Sequence, residues 1–343
     1  MVTYIVRRLF AAVLLLLVVT LVTFVIFFVL PTWAGQSPEA IARSYLGRGT
    51  VSQASLNAVM QRLGLNQPLL VHYWEYVKAL FVGTNVSDGS LNADGTPQLI
   101  HCPAPCFGYS FRNSQPVWPQ LTSAFPVTLS IALGAGVLWL VFGVLSGVVS
   151  AIKKGSIWDR TSMLVSLAGV SLPVYFILPL ATLFLVYNWN LLPNEGYVPF
   201  LQNPGSWAAN LFLPCACLAF GYAALYTRLT RAGMLDAMNE DFVRTARAKG
   251  LPERTVVMKH GLRAAITPIV TIFGLDLGAV LGGAVLVEAA ASMHGLGYLA
   301  INAINTQDFP VMMGVTLFGA FFIVIANLVV DVLYATLDPR VKL

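Results

Sequence analysis

Six long apolar runs organise this chain: residues 9–30, 125–152, 162–188, 207–226, 264–287 and 309–330. A bilayer core about 30 Å thick takes roughly 20 helical residues at about 1.5 Å each, so every run is long enough to cross it. The first run starts directly after Arg7-Arg8 and has no small-residue cleavage site behind a short apolar stretch. It therefore reads as a retained span and not as a signal peptide. The fifth run is interrupted only by Asp276. The pattern predicts an all-α integral membrane protein of six transmembrane helices. It divides into an N-terminal helix (1–30), an extracytoplasmic loop domain (31–121) and a core domain of five helices (122–343).

Composition agrees. Of 343 residues, 57% are hydrophobic and 10% charged, with a mean hydropathy of +0.75. A soluble domain carries about 25% charged residues. So few charges exclude an ordinary cytosolic enzyme, a disordered chain and a disulfide-dense secreted module. The net charge of +5 marks topology, not nucleic-acid binding. Fifteen of the 20 Lys and Arg fall on one side of the alternating spans, and the other five sit in the long 31–121 loop. Short loops on that second side, around Glu195 and between Glu288 and Asp308, carry no Lys or Arg. The positive-inside rule then expects both termini in the cytoplasm of a prokaryote, with the basic residues beside anionic lipid.

Two segments lie outside the spans. In the outer loop, Ser52 is placed to cap a short helix with Leu56, Val59, Met60 and Leu63 on one face. Pro68 is placed to open another, followed by Leu69, Leu70, Tyr73, Val77 and Leu80. The cluster Tyr73, Trp74 and Tyr76 suits a membrane interface. Residues 85–105 are rich in Asn, Asp, Gly, Ser and Pro and read as a loop. Cys102 and Cys106 stand in it as Cys-Pro-Ala-Pro-Cys. On an oxidising face they are a possible disulfide, with free thiols as the alternative. Metal binding is weaker, since only His101 joins them and a structural zinc site wants four ligands. Cys215 and Cys217, within the fourth span, read as packing residues.

The inner segment, about 227–263, contains a short helix that Asp236 or Asn239 could cap. Glu240 and Asp241 favour its first turn, and Gly250 followed by Pro252 stops it. Phe242, Val243 and Ala246 form an apolar strip, while Arg244, Arg247 and Lys249 cover the rest. A strip too short to span must bury against something, either a partner protein's groove or the lipid surface.

Here the chain resembles a family. E-D-F-V-R-T-A-R-A-K-G-L (240–251) is similar to the EAA coupling loop of ABC-importer permeases, in its dipeptide/oligopeptide form. Arg244, Thr245, Ala246 and Gly250 occupy the E-A-A-x-x-x-G positions. The resemblance continues through L-G-L-N-Q-P-L (63–69), S-F-R-N-S-Q-P-V (110–117), F-P-V-T-L-S (125–130), W-D-R (158–160) and S-L-P-V-Y (171–175). It extends to G-L-D-L-G-A-V-L-G-G-A-V-L-V-E (274–288), H-G-L-G (294–297) and N-L-V-V-D-V-L-Y-A-T-L-D-P-R (327–340). Two stretches depart from it. About two dozen residues separate Gly83 from Gly108 where the family has a few, and Glu288-Ala-Ala-Ala-Ser-Met-His-Gly-Leu-Gly replaces E-x-x-F-x-x-P-G-L-G.

The resemblance implies a type I ABC-importer permease fold and one half of a peptide-translocating pore. It implies a homologous second permease subunit, cytoplasmic ATP-binding subunits that grip 239–251, and an extracytoplasmic substrate-binding protein. Glu240, Asp241, Arg244, Thr245, Ala246 and Gly250 become the expected ATPase-coupling residues. No G-x-x-x-x-G-K-[ST] loop occurs, so ATP and Mg are expected on the partners, and this chain is expected to hold no cofactor and to be no enzyme. Asp276 is a pore-lining candidate or, equally, a carboxyl hydrogen-bonded to a neighbouring helix. The small-residue runs 134–136 and 278–284 permit close packing, expected between two permeases, with packing inside the chain as the alternative. Other importer cargo, such as nickel chelates, glutathione or sugars, shares these motifs. A lone secondary transporter would show inverted repeats with broken, charged helices. A membrane enzyme is disfavoured by the absence of H-E-x-x-H and by His72, His101, His260 and His294 scattered on loops.

Overall fold

A computed structural model describes residues 2–46, 53, 56, 57, 60, 67–91, 97–110, 112, 113, 115–193 and 195–337. Helices dominate: α1 (Val2–Phe24), α2 (Pro38–Leu46), α3 (Leu69–Val82), α4 (Val117–Ile152), α5 (Ile157–Ser171), α6 (Val174–Ala181), α7 (Pro204–Met238), α8 (Asp241–Ala248), α9 (Leu262–Leu281), α10 (Val285–Ala290), α11 (Leu296–Thr306) and α12 (Phe309–Leu337). Among the described residues, five helical stretches are long and apolar enough to cross a membrane, or six if the bent pair Ile157–Ser171 and Val174–Asn188 counts as one span.

That pair corrects the unbroken span expected over 162–188: its halves meet at 100°. The cause is local. Pro173 clashes with the helical conformation of the residue before it, so Leu172 adopts an extended backbone (φ −94°, ψ 113°) and α6 starts afresh. The fifth span also differs from the run 264–287. It starts earlier, from Glu253 through a π-helical stretch, Val256–Gly261, and ends at Leu281. Gly282 then caps α9, Gly283 takes φ +138°, and α10 begins at Val285. The fourth span overshoots its apolar run: α7 has 35 residues, about 52 Å of helix against a core of about 30 Å.

The chain divides into two compact units, one of Leu9–Pro126 with Gly295–Phe322, the other of Met1–Arg8, Val127–His294 and Ile323–Leu343. In the first, Val117, Leu121, Leu296, Val311 and Val315 form a buried core with Phe318. A second core joins Phe24, Phe28 and Val29 to Ala42, Leu56, Met60 and Met313. The helix expected after Ser52 falls largely outside the described residues, as do Ser52, Val59 and Leu63. The expected helix behind Pro68 is α3, preceded by Pro68 itself. Its interface cluster is divided: Tyr73 and Tyr76 turn toward α1, and only Trp74 is exposed.

The 85–105 loop needs a larger correction. Thr84–Leu91 (β1) and Pro97–Cys102 (β2) pair antiparallel, with Thr84 opposite Cys102 and Val86 opposite Ile100, and the register breaks between Ser87 and Leu91. Asp, Gly and Ser disfavour strands, so composition hid a ladder that rests on backbone bonds. Opposite residues Asn85 and His101 also bond through Oδ1 and Nδ1 (3.0 Å). Cys102 and Cys106 form a disulfide, buried against Ala79 of α3.

In the second unit small residues bring helices together within the chain. A Cβ at Gly274 would lie 1.8 Å from Val330, at Gly278 3.2 Å from Ala326, and at Gly282 2.8 Å from Ile323, all on α12. Gly134 packs on Cys215 and Gly136 on Leu277. These glycines thus serve intrachain packing, the close approach being made by the chain's own α7, α9 and α12.

Candidate coupling site

Helix α8 hangs from the end of α7 by Asn239 and Glu240. Asn239 closes α7, and Glu240 precedes α8 with extended backbone (φ −70°, ψ 151°) and no side-chain cap. Neither Asp236 nor Asn239 caps α8, since both still belong to the end of α7. The expected stop at Gly250 has clear geometry. Gly250 N–H donates to Arg247 O (2.9 Å), Leu251 N–H reaches Ala246 O (3.4 Å), and Gly250 has φ +75°. This is a Schellman end, in which a left-handed residue satisfies the last carbonyls.

The apolar strip is where expectation and structure part. Val243 (0% exposed) and Ala246 (5%) bury against Val256 and Met238 of the same chain. They need neither a partner groove nor lipid. Phe242 alone of the strip stays exposed, lining a shallow depression with Lys259, His260, Arg263 and Ala264. Beside Phe242, what α8 presents outward is polar: Asp241, Arg244 and Thr245, with Glu240 exposed just before it. Thr245 Oγ1 donates to Asp241 O (2.9 Å), and Arg244 approaches Asp241 Oδ1 at 3.5 Å with both side chains largely exposed. Arg247 instead forks onto Glu253 (2.7 and 3.2 Å), bracing α8 against the start of the next helix.

One constellation behind this site escaped the sequence. Asp159, in the first turn of α5, is 5% exposed and accepts four hydrogen bonds. Ser150 Oγ of α4 donates to Oδ1, and Gly155 N–H to Oδ2 at 2.8 Å. Arg231 of α7 donates from Nε to Oδ1 (2.7 Å) and from Nη2 to Oδ2 (2.9 Å). A planar guanidinium matched to a carboxylate in this way fixes orientation as well as charge. The ends of α4, α5 and α7 are tied at one point, and α7 continues into α8. The signal available was Asp159 as a lone carboxylate amid Lys153, Lys154 and Arg160.

Asp276, on α9, accepts a hydrogen bond from Tyr226 Oη of α7 (2.8 Å). Tyr226 is fully buried beside Trp139, whose ring stacks on Tyr222 (centroids 4.5 Å) and meets Phe273 edge-on (5.8 Å). The half-buried carboxylate thus has a tyrosine partner on a neighbouring helix.

The comparisons cover the whole chain. The model of the binding-protein-dependent transport system inner membrane component family matches residues 116–343, and its N-terminal companion matches 1–132. The di/tripeptide transport system permease DppB of Pseudomonas aeruginosa is 34% identical over all of this chain and 99% of its own length. The glutathione transport system permease GsiC of Escherichia coli K12 is 33% identical over all of this chain and 99% of its own. A chain of the MetNI methionine ABC transporter in inward-facing form superposes with a TM-score of 0.53 at 18% identity, covering 64% of this chain and 97% of that one. The architecture is the type I ABC-importer permease fold, in a multi-pass membrane protein. Matched by both family models and by relatives aligned end to end, this chain belongs to the binding-protein-dependent transport system inner membrane component family.

Proposed function

We propose that this chain is the peptide-translocating permease subunit of an ATP-driven importer in a prokaryotic cytoplasmic membrane, with both termini cytoplasmic. It pairs with a homologous second permease, receives di- or oligopeptides from an extracytoplasmic binding protein, and is driven by separate ATP-binding subunits that carry the ATP and Mg. Glu240, Asp241, Arg244, Thr245, Ala246 and Gly250 form the coupling element. The basic residues concentrated on the α8 side support the orientation. Peptide cargo follows the relatives' names, and glutathione, itself a small peptide, is the second reading because GsiC aligns over the full length.

One observation carries the mechanism. An eight-residue helix with a polar outward face is fixed from behind by Val243, Ala246 and the Arg247–Glu253 fork, at the end of a 35-residue helix. A push on that face moves α7 as a rod, and rigid spans then tilt between two packed arrangements. Deleting residues 244–246 is expected to abolish uptake by the reconstituted complex while membrane insertion continues. Cysteines at exposed Arg244 and Thr245 are expected to cross-link to an ATP-binding subunit, and one at buried Val243 is not. Uptake that survives the deletion refutes the coupling role.

A further inference from the structure

Helix α3 has two apolar faces, and among the described residues one of them packs against the protein while the other is exposed. Its inner face packs on α1: His72 lies edge-on to Phe24 (4.9 Å) and Phe28 (4.5 Å), and Tyr73 edge-on to Phe24 (5.3 Å). Tyr73 Oη also lies 3.1 Å from Thr20 Oγ1. On the opposite side Leu70, Trp74 and Phe81 are 84%, 66% and 76% exposed. Residues four and seven apart share a helix face, so these three form one stripe.

The contacts with α1 fix the depth of this stripe. If the apolar run enters the bilayer at Leu9, Phe24 stands about 22 Å along the span at about 1.5 Å per residue. In a hydrocarbon core of about 30 Å this is roughly 8 Å short of the far boundary. Thr20 is deeper still. The order of contacts gives the tilt: Tyr73 reaches the deeper Thr20, whereas His72 reaches the shallower Phe28. The exposed charges follow His72. Glu75 acts electrostatically on it, and Lys78, four residues after Trp74, borders the stripe with a stem long enough to carry its ammonium to the headgroups. The polar flank therefore points to the boundary, and the Leu70–Trp74–Phe81 stripe lies below it. Amphipathic helices at an interface sit about 5–10 Å into the headgroup and acyl region.

We infer that α3 is not part of a water-exposed loop domain but an in-plane helix sunk into the leaflet opposite Arg7 and Arg8, with Leu70, Trp74 and Phe81 in contact with acyl chains. In the proposed topology this is the outer leaflet, and the inference does not depend on the cargo. Embedded there, α3 holds the Cys102–Cys106 disulfide and the hairpin at the membrane surface through Ala79.

The test uses the full-length chain with its co-purifying subunits in lipid nanodiscs, with Cys215→Ala and Cys217→Ala. Nitroxide labels are placed singly at 70, 74, 81 and 75, and relaxation by oxygen is compared with relaxation by a water-soluble nickel chelate. Labels at 70, 74 and 81 are expected to respond to oxygen and be shielded from nickel, and the label at 75 to show the reverse. Nickel access at all four positions would overturn the inference in favour of a solvated helix. Shielding of the stripe from both reagents would overturn it in favour of a protein partner. On the unmutated complex, a lipid with a photoreactive group in its acyl chain is expected to label peptide 69–82, and absence of label there also overturns it.

Discussion

Arg231 grips the carboxylate of Asp159 with two parallel hydrogen bonds, Nε to Oδ1 at 2.7 Å and Nη2 to Oδ2 at 2.9 Å. The two residues are 72 positions apart, on α7 and α5, and Ser150 of α4 completes the knot. Arg231 also sits in the last two turns of the helix that carries α8. Whatever displaces α8 must therefore move three helix ends together or break this pair.

Asp159→Asn removes the charge while keeping the shape, and leaves Arg231 without its anion. Uptake per ATP hydrolysed is expected to fall roughly 3- to 30-fold, the range that residues within a coupled network command. Arg231→Gln should do the same, and the double variant should be no worse than either single one, as for residues acting through one interaction. Transport and ATP turnover measured on the same proteoliposomes check this. Additive losses in the double variant would show that the two residues act independently.

Gly250 is required for its backbone and not for space, since a Cβ there would meet nothing within 4 Å at φ +75°. Asn tolerates the left-handed region and β-branched residues do not. Gly250→Asn is therefore expected to keep near-normal uptake, whereas Gly250→Val frays the end of α8 and uncouples transport. Gly250→Asp tolerates the left-handed backbone as Asn does but adds a negative charge at a helix C-terminus, so its uptake should fall between those of Asn and Val. Uptake assays on the three variants at matched membrane levels separate backbone from bulk.

Gly147 presents the opposite case. A Cβ would lie 2.5 Å from Thr230 Cβ and 2.7 Å from the backbone oxygen of Thr227, and that carbonyl is held in α7. Gly147→Ala must push α4 from α7, at about 1–3 kcal/mol for such overpacking. Thermal unfolding of the purified protein in detergent should show a clearly lowered midpoint.

Tyr226→Phe and Asp276→Asn are unequal cuts into one bond. Asn keeps an oxygen to accept from Tyr226, so Asp276→Asn should be close to wild type in stability. Asp276→Leu leaves a buried hydroxyl without its acceptor, at about 1–3 kcal/mol. If the carboxylate also meets cargo in the pore, Asp276→Asn changes uptake and its pH profile while stability stays put. Parallel melting and uptake curves from pH 6 to 8 distinguish the two roles.

How far such features could be read beforehand follows their locality. A charge-free run is a local property, so six spans were countable, and the stop at Gly250 was legible because a left-handed turn needs glycine on the spot. The break at Pro173 was also local, but an apolar window averages over it. Burial of Val243 and Ala246 depends on Val256 and Met238, and the Asp159 pair spans 72 positions. Nothing short-range announces the partners of either, although Asp159 stands out locally as a lone carboxylate among basic residues. The hairpin stayed hidden for a further reason: its ladder is backbone pairing over Asp, Gly and Ser, which carry no strand signal.

The attachment of α3 to α1 is expected to depend on pH through His72. Burial against Phe24 and Phe28 lowers its affinity for a proton below the usual histidine value of 6.5, and nearby Glu75 only partly opposes this. The rings it meets on α1 carry no charge, so Glu75 is the carboxylate acting on it. The released helix titrates near 6.5 and the docked one lower, so between those values the released state binds more protons. Docking is therefore at full strength above about pH 6.5 and weakens as pH falls toward the docked value. Hydrogen-exchange protection within 69–82, measured on the nanodisc complex relative to the intrinsic amide rate at each pH, should fall several-fold between pH 7.5 and pH 5.5. His72→Phe keeps the ring contacts without the proton and should flatten that dependence. If protection of this helix falls equally in His72→Phe, the pH response originates elsewhere.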